Sequence, residues 1–417
     1  MLVPTASLAI WIIAGFATAG VIMRPFRSPE AVWAVAGAGL LVLAGLVPAG
    51  NALAAVARGT DVYLFLAGMM LLSEIARYEG LFDWLAAHAV NAARGSTKRL
   101  FLLIYGVGIG VTAILSNDAT AVVLTPAVFA ATSKARVDPL PHLFICAFVA
   151  NAASFLLPIS NPANLVVYDG HMPALAVWLA HFLLPSVLAI AATFFALRFA
   201  ERRHLREASA SDIALPELTK GGRTAFAGIA ATAVVLLAVS AFGIPLGLPT
   251  AVMGAGTAGI VLIAQRASPW PVLREISWSI LPLVAGLFVL VEALAQTGAT
   301  ATLAHALHEA SRVSQSHTAA AAGVLIALAT NLTNNLPAGL FASAALSGAP
   351  LRLVDSVLIG VDLGPNLSVT GSLATILWLS AIRREGEDVT FWCFLKVGAL
   401  VMPPALLLAL GARLLLG

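Results

Sequence analysis

Residues 66–86, LAGMMLLSEIARYEGLFDWLA, recur without a gap at residues 284–304 as VAGLFVLVEALAQTGATATLA. The identical pairs are Ala67/Ala285, Gly68/Gly286, Leu72/Leu290, Glu74/Glu292, Gly80/Gly298, Leu85/Leu303 and Ala86/Ala304. An apolar composition readily supplies leucine and alanine matches, but it does not readily supply the glutamate and both glycines. The chain therefore contains an internal repeat.

The composition is that of a protein embedded in lipid. Of the 417 residues, 60% are hydrophobic and only 10% are charged, whereas soluble domains carry about 25% charged residues. A net charge of +3 without basic runs between aromatics excludes a nucleic-acid partner. The two cysteines, Cys146 and Cys393, lie in apolar stretches and form no disulfide or metal-binding pattern, so neither a cofactor nor a metal is predicted.

Apolar segments long enough to cross a bilayer follow one another along the chain. A spanning helix needs about 20 mostly apolar residues. The candidates are 5–23, 31–50, 60–77, 143–170, 172–199, 224–243, 246–265, 280–297, 355–382 and 391–416. Two further stretches, 99–133 and 318–347, are interrupted by polar residues, and the mixed segments 78–98 and 298–317 are predicted to lie along the membrane interfaces.

Lysine and arginine mark the cytoplasmic side of a membrane protein. They place the first loop, the central loop 201–223 and the 383–390 loop in the cytoplasm, and both termini outside. Basic residues flank both ends of 99–133, so this stretch is predicted to enter from the cytoplasm and return, whereas 318–347 enters from outside. Arg58, predicted outside, is the one exception. The residues used are Arg24, Arg27, Arg94, Lys98, Arg99, Lys134, Arg136, Arg202, Arg203, Arg206, Lys220, Arg223, Arg312, Arg352, Arg383 and Arg384.

These crossings predict an all-α integral membrane protein of two inverted-topology repeats, with about ten transmembrane helices and two opposed re-entrant helical hairpins. The halves are inverted because an odd number of crossings separates equivalent helices. Residues 1–200 form the first repeat, with hairpin 99–133 and broken helix 143–170. Residues 201–223 form a cytoplasmic linker. Residues 224–417 form the second repeat, with hairpin 318–347 and broken helix 355–382.

Four polar clusters interrupt the apolar segments and form two pairs under the repeat. Ser-Asn-Asp at 116–118 matches Thr-Asn-Asn at 333–335, and ISNPAN at 159–164 matches VDLGPNLSVTGS at 361–372. Broken backbone survives at membrane depth only where it lines protein or water, so these clusters predict a central substrate site. The candidate substrate-binding residues are Ser116, Asn117, Asp118, Thr120, Asn161, Asn164, Thr333, Asn334, Asn335, Asn366, Thr370 and Ser372.

The stretches SNDATAVVLTPAV, SNPANLVV, TNNLPAGLFASAAL and GVDLGPNLSVTGSLATILWL resemble the signature stretches of ArsB-type arsenite efflux permeases. These belong to an ion-transporter superfamily that also holds dicarboxylate symporters and sodium/proton antiporters. The resemblance implies export of arsenite, and of antimonite, across the inner membrane. Such permeases can pair with a separate cytoplasmic ATPase subunit, and the sequence leaves that partner and the oligomeric state open.

The residues of the four clusters favour a neutral solute. Asp118 in the first hairpin tip would repel a dicarboxylate, and no cluster contains lysine or arginine. Arsenous acid is an uncharged trihydroxide near neutral pH, and the hydroxyl and amide groups of serine, threonine and asparagine match its donors and acceptors.

Export of such a solute requires an energy source, and the chain has no GxxxxGK[ST] motif of an ATPase. Exchange against protons requires a titrating carboxylate inside the membrane, and Asp118 and Asp362 are the best placed. Glu74 and Glu292 are the alternates. No catalytic pair supports an enzyme. A sodium/proton antiporter, or another anion transporter of the same superfamily, remains the alternative.

Overall fold

The computed structural model describes residues 5–25, 28–169, 172–206 and 213–416. Within these ranges the secondary structure is helical and includes no β-strand. Arg27, one of the residues used to predict the topology, lies outside the described ranges, as does part of the central linker.

The helices of the first half are α1 Thr5–Met23, α2 Glu30–Leu43, α3 Ala49–Arg58, α4 Thr60–Tyr78, α5 Leu81–Ala93, α6 Thr97–Ile114, α7 Asn117–Ala119, α8 Thr125–Lys134, α9 Leu140–Ala152, α10 Pro162–Val167 and α11 Leu175–Ala200. Those of the second half are α12 Lys220–Ala241, α13 Gly247–Gln265, α14 Trp270–Glu275, α15 Ile280–Gln296, α16 Ala299–Val313, α17 Gln315–Thr333, α18 Asn335–Ala345, α19 Leu351–Leu363, α20 Leu373–Arg384 and α21 Phe391–Leu415.

The two halves repeat the same order of elements, and their helix caps coincide. Gly80 before α5 and Gly298 before α16 both adopt a left-handed backbone, with φ of +73° and +82°, which glycine tolerates without a Cβ clash. Ser96 and Ser314 both cap the next helix, each accepting a hydrogen bond at 3.4 Å from the backbone N–H three residues on. The predicted all-α architecture of two repeats with two helical hairpins is confirmed.

Not every predicted crossing is a single long helix. Among the described residues, α1, α6, α11, α12, α13 and α21 are each long and apolar enough to span a bilayer. Two bent pairs, α3 with α4 at 47° and α15 with α16 at 72°, raise the count to eight. Of these eight, α6 belongs to the hairpin 99–133 and is not one of the predicted crossings. The remaining predicted crossings are α2, which has 14 residues, and two helices broken at mid-span.

Small residues allow helices of opposite halves to approach closely. Helix α4 packs along α13, and α15 packs along α2. A Cβ added to Gly68 would collide with the backbone of Thr250, and one added to Gly286 would collide with the backbone of Ala34. Close backbone contact at small residues is the usual way in which membrane helices associate, because lipid supplies no hydrophobic force between them. These contacts join the two repeats into one body.

Two segments differ from the sequence-based expectation. The candidate span 31–50 ends at Leu43, and after a turn the amphipathic helix α3 follows, because Pro48 starts a new helix there. The segment 78–98, predicted to lie along the interface, instead contributes the largely buried α5, which packs against α6 and α8. Its repeat equivalent α16 is largely exposed.

Candidate functional site

The two broken helices each contain a short second half that begins with a capped turn. Helix α9 stops at Ala152, and α10 begins at Pro162 after the cap residue Asn161, whose side chain accepts a hydrogen bond from the Ala163 N–H at 3.0 Å. Helix α19 stops at Leu363, and α20 begins at Leu373 after the cap residue Ser372, whose hydroxyl accepts from the Thr375 N–H at 3.1 Å. Pro158 and Pro365 lie in the breaks, where a missing N–H costs little.

The two broken helices contact each other at their breaks. The Asn161 amide donates to Asp362 Oδ1 at 2.8 Å, and the Ser372 hydroxyl donates to Asn151 Oδ1 at 3.4 Å. Each cap residue therefore meets the polar residue at the equivalent place in the other repeat, as an approximate twofold axis requires. The Asn151 amide also donates to Asn366 Oδ1 at 3.0 Å, and the Asn366 amide donates to a carbonyl of α9 at 3.1 Å.

Asp362 is the one carboxylate at this crossing. Its side chain is fully buried, and Oδ2 has no hydrogen-bond partner among the described residues. An isolated buried carboxylate oxygen is costly unless a proton or a cation accompanies it. The residue can therefore hold a proton or bind a small cation.

The first hairpin is formed by α6 and α8, with its tip at α7 and a following π-helical turn, Thr120–Leu124. Ser116 caps α7 by accepting from the Ala119 N–H at 3.2 Å. Asn117 Oδ1 accepts from the Asp118 N–H at 2.9 Å, and Thr120 shares a 2.7 Å hydrogen bond with Thr112. π-Helical turns often occur at functional sites, and this one bends the hairpin directly after Asp118.

A cavity opens beside this tip. It is bounded by α4, the first hairpin, the start of α10, the α14–α15 junction and α20, and it has about 60 Å³ of space open to the centre of a water molecule. A single water needs roughly 10–15 Å³ of such space, so the cavity admits a small solute. Its polar lining residues are Ser73, Glu74, Ser116, Asp118, Glu275 and Ser277, and among the described residues no lysine, arginine or histidine lines it.

Asp118 is the tip residue that faces this cavity with a free side chain. It is half-buried, and within the described part of the chain its carboxylate makes no hydrogen bond and no ion pair. Pro162, next to the Asn161–Asp362 contact, lines the same cavity. Of the first broken helix, Pro162 lines this cavity, whereas the predicted residues Asn161 and Asn164 do not.

The second hairpin tip differs from the first in chemistry. Asn334 caps α18 as Ser116 caps α7. Aligning the two cap residues shifts the match by one residue from the sequence pairing of 116–118 with 333–335, so that Leu336 corresponds to Asp118. Asn335 is buried, and its side chain makes no hydrogen bond to any described residue. A pocket of about 10 Å³ is lined by Asn334 and Leu336 of this tip. Thr333 faces a separate apolar groove between α1, α15 and α17.

The side chains of several other predicted residues form hydrogen bonds with backbone carbonyls. The Asn164 amide donates to the carbonyls of Ser154 and Pro158 at 3.0 and 3.3 Å and so closes the first break, while its Oδ1 is buried without a partner. Thr370 donates to the Asn331 carbonyl at 2.9 Å. These contacts hold the breaks in shape, and neither residue lines the cavity beside Asp118.

Glu74 and Glu292 occupy equivalent places and both form ion pairs. Glu74 accepts two hydrogen bonds from Nε of Arg77 on its own helix, at 2.9 and 3.1 Å. Glu292 is paired with Arg58 of α3, in the other repeat. This pair explains the position of Arg58 on the predicted outer side, where the charge pattern alone offers no reason for it.

Sequence reasoning missed a buried polar network between the repeats. Asp355 is fully buried and accepts hydrogen bonds from Arg413 at 2.7 Å and from Tyr168, and it lies 2.9 Å from His181. Arg413 is 1% exposed. The available signal was the presence of Asp355 and Arg413 inside predicted spans, since charged residues at membrane depth are usually paired.

The sequence matches known transporters along most of its length. The model of the CitMHS family, described as citrate transporter, matches residues 9–382. The arsenical pump membrane proteins of Yersinia enterocolitica and Escherichia coli are 28% and 26% identical over 362 and 360 residues, covering 82% of this chain and 83% of each relative. An uncharacterized transporter of Mycobacterium tuberculosis is 24% identical, with 84% of both chains covered.

The fold is also similar to a solved structure, that of the YdaH transporter of Alcanivorax borkumensis. The TM-score is 0.60 over 99% of this chain and 98% of the other, at 16% sequence identity. The family match covers well over half of the chain, and the matched relatives are transporters rather than enzymes. The chain is therefore a membrane transporter that belongs to the CitMHS family, described as citrate transporter, and is similar in sequence to arsenical pump membrane proteins.

Proposed function

We propose that this protein exports arsenite, and also antimonite, from the cytoplasm in exchange for protons. The observation that carries the proposal is the cavity beside the first hairpin tip. Its polar lining consists of serine hydroxyls and carboxylates and contains no cationic side chain. Such a lining suits a small neutral solute with several hydroxyl groups and repels a polyanion.

The names of the relatives support the same substrate. Two of them are named arsenical pump membrane proteins, and each aligns with 82% of this chain. Citrate, which the family description names, carries several carboxylates and would face Asp118, Glu74 and Glu275 without a compensating lysine or arginine in the lining. Neither Cys146 nor Cys393 lines the cavity, which suits a carrier that must release a metalloid bound by oxygen contacts.

We assign the coupling proton to two carboxylates, Asp118 and Asp362, which differ in their access to the cavity. Asp118 faces the open cavity, whereas Asp362 is sealed at the crossing of the broken helices with one oxygen unpartnered. Glu74 and Glu292 are less suited to carry the proton, because each is engaged by an arginine. Substrate contacts are assigned to Ser116 and Asp118, which line the cavity, and to the amides of Asn117 and Asn161 beside them.

The charge pattern supports a location in the plasma (inner) membrane with the central linker in the cytoplasm and both termini outside. In this orientation the ends of α4 and α14, with Glu74 and Glu275, face the cytoplasm, and the cavity opens to that side. An exporter loads its substrate from this side. A cytoplasmic ATPase subunit is not required by this mechanism.

The proposal is tested in everted membrane vesicles, in which export appears as arsenite uptake driven by an acidic interior. We expect uptake that depends on the gradient in the unchanged protein and in Asp83→Asn, which alters an exposed carboxylate outside the cavity. Asp118→Asn and Asp362→Asn are expected to abolish the dependence on the gradient. Sodium movement without arsenite movement would instead support a sodium/proton antiporter, and uptake of citrate would support the transport that the family description names.

A further inference from the structure

The approximate twofold relation makes it possible to compare the open mouth of the cavity with its equivalent at the other end of the molecule. The open mouth is defined by Glu74, Glu275, Met70 and Ile280, all of which line the cavity. The closed mouth is the equivalent place at the other end. The gapless repeat matches Glu74 and Met70 with Glu292 and Phe288, and the closed mouth also includes the residues that contact these two, Arg58 of α3 and Tyr63 of α4. The elements correspond as well, because α14 packs on α4 and α3 packs on α15.

The outer layer of the two mouths differs in charge. At the closed mouth Arg58 of the first repeat forms an ion pair with Glu292 of the second, which ties α3 to α15. At the open mouth α14 ends at the carboxylate Glu275, whereas α3 ends at Arg58 at the closed mouth. Glu74 turns to Arg77 of its own helix, and no ion pair joins α4 to α14 within the described residues. An ion pair therefore joins the repeats across the closed mouth, and none joins α4 to α14 across the open mouth among the described residues.

The inner layer differs in size and packing. At the closed mouth the rings of Tyr63 and Phe288 meet edge to face, with centroids 6.3 Å apart at 81°. The Tyr63 hydroxyl donates to the Val56 carbonyl of α3 at 3.0 Å, which holds the ring in place. At the open mouth Met70, the repeat equivalent of Phe288, lines the cavity together with Ile280 of α15. An aromatic pair thus fills the space that is open at the other mouth.

We propose that Arg58–Glu292 and Tyr63–Phe288 form a two-layer gate over the second hairpin tip, which must open for substrate to leave on that side. The inference rests on the proposed transport function for the identity of the substrate, but the gate itself can be tested without a substrate. The ion pair fixes the mouth from outside and the aromatic pair excludes water beneath it. An exposed ion pair contributes up to about 1 kcal/mol, which corresponds to about a fivefold change in the open fraction.

The test measures how fast a cysteine at the second tip reacts with a membrane-impermeant thiol reagent. Leu336→Cys supplies the cysteine in a Cys393→Ser background, since Cys393 is exposed and Cys146 is buried. We expect Arg58→Glu to raise the labelling rate about fivefold or less. Arg58→Glu with Glu292→Arg restores the attraction and should return the rate to its starting value.

A matched control alters an ion pair outside both mouths. Arg312→Glu breaks the exposed pair with Glu309 on α16 and should leave labelling of the second tip unchanged. Labelling needs no arsenite. A protein that does not transport arsenite, but whose labelling rate rises in Arg58→Glu, would therefore refute the proposed substrate and support the gate.

The inner layer is tested by replacing its two aromatic rings with aliphatic side chains of the kind that line the open cavity. Tyr63→Ile with Phe288→Met should raise labelling of the second tip more than Arg58→Glu does, because it removes the plug itself. In the opposite direction, Glu275→Arg should slow labelling of a cysteine at Ser73, which lines the open cavity. Labelling rates that do not change in Arg58→Glu and in the double aromatic variant, with both proteins folded and inserted, would overturn the gate.

Discussion

Asn366 is the residue that most directly joins the two broken helices, so its replacement tests the described crossing. Asn366→Leu removes the acceptor for the Asn151 amide and the donor to a carbonyl of α9, contacts of 3.0 and 3.1 Å between fully or almost fully buried groups. Leaving a buried polar group unpaired costs about 1–3 kcal/mol. The α9 carbonyl lies within its helix, which reduces its share. The expected loss is therefore about 2–4 kcal/mol.

The measurement is reversible denaturation of the purified protein in detergent, comparing midpoints at an unchanged slope. Asn51→Leu changes an exposed asparagine on α3 and should leave stability within about 0.5 kcal/mol. Asn151→Leu combined with Asn366→Leu should cost less than the sum of the single changes, because the double variant removes both partners of their hydrogen bond and leaves neither one buried without the other. A cost for Asn366→Leu no larger than that of Asn51→Leu, or strict additivity in the double variant, would refute the crossing as described.

Three further perturbations have defined outcomes. Gly68→Leu should prevent accumulation of folded protein because its Cβ would collide with the backbone of α13. The control Gly106→Leu should be tolerated because the space around Gly106 is open, and the yield of folded protein from membranes on size-exclusion chromatography distinguishes the two variants. Arg413→Gln should lose about 3–5 kcal/mol because Asp355 remains buried and charged, and adding Asp355→Asn should recover most of it in denaturant titrations. Burial raises the pKa of Glu201 at the end of α11. The folded state therefore holds the proton of this carboxyl group more firmly than the unfolded state does, and it loses stability as pH rises through the raised pKa. Glu201→Gln should gain thermal stability at pH 7.5 and not at pH 4.5.

The sequence predicts the hairpins and the broken helices because their causes are local. Pro158 and Pro365 break the helices, and the polar clusters at 116–118 and 333–335 cannot continue an apolar span. The repeat then fixes which segments are equivalent. For these features hydropathy, breaker residues and self-similarity all indicate the same architecture.

The roles of individual polar residues could not be predicted in the same way, since they depend on contacts between the repeats. Asn366 and Ser372 were predicted to bind substrate, but their side chains meet Asn151 at the crossing of the broken helices. Asp355 of the second repeat likewise accepts a hydrogen bond from Tyr168 of the first. Only the packed structure determines which amides remain available to a ligand.

The asymmetry of the hairpin tips depends on a single register. Aligned by sequence, Asp118 matches an asparagine, whereas aligned by the helix caps it matches Leu336. A shift of one residue changes which side chain faces the site, and composition contains no information about it. The result is one ionisable tip and one neutral tip.

The measurement that tests the central claim most directly is proton movement evoked by arsenite. The protein is reconstituted in liposomes with a trapped pH indicator, without sodium and without an imposed gradient, and arsenite is added outside. The account predicts that arsenite entry drives protons out, so that the interior becomes more alkaline in proportion to arsenite entry, and that Asp118→Asn removes this signal while Asp83→Asn keeps it. Arsenite entry without any proton movement in the unchanged protein, or an equal signal from Asp118→Asn, would contradict the account.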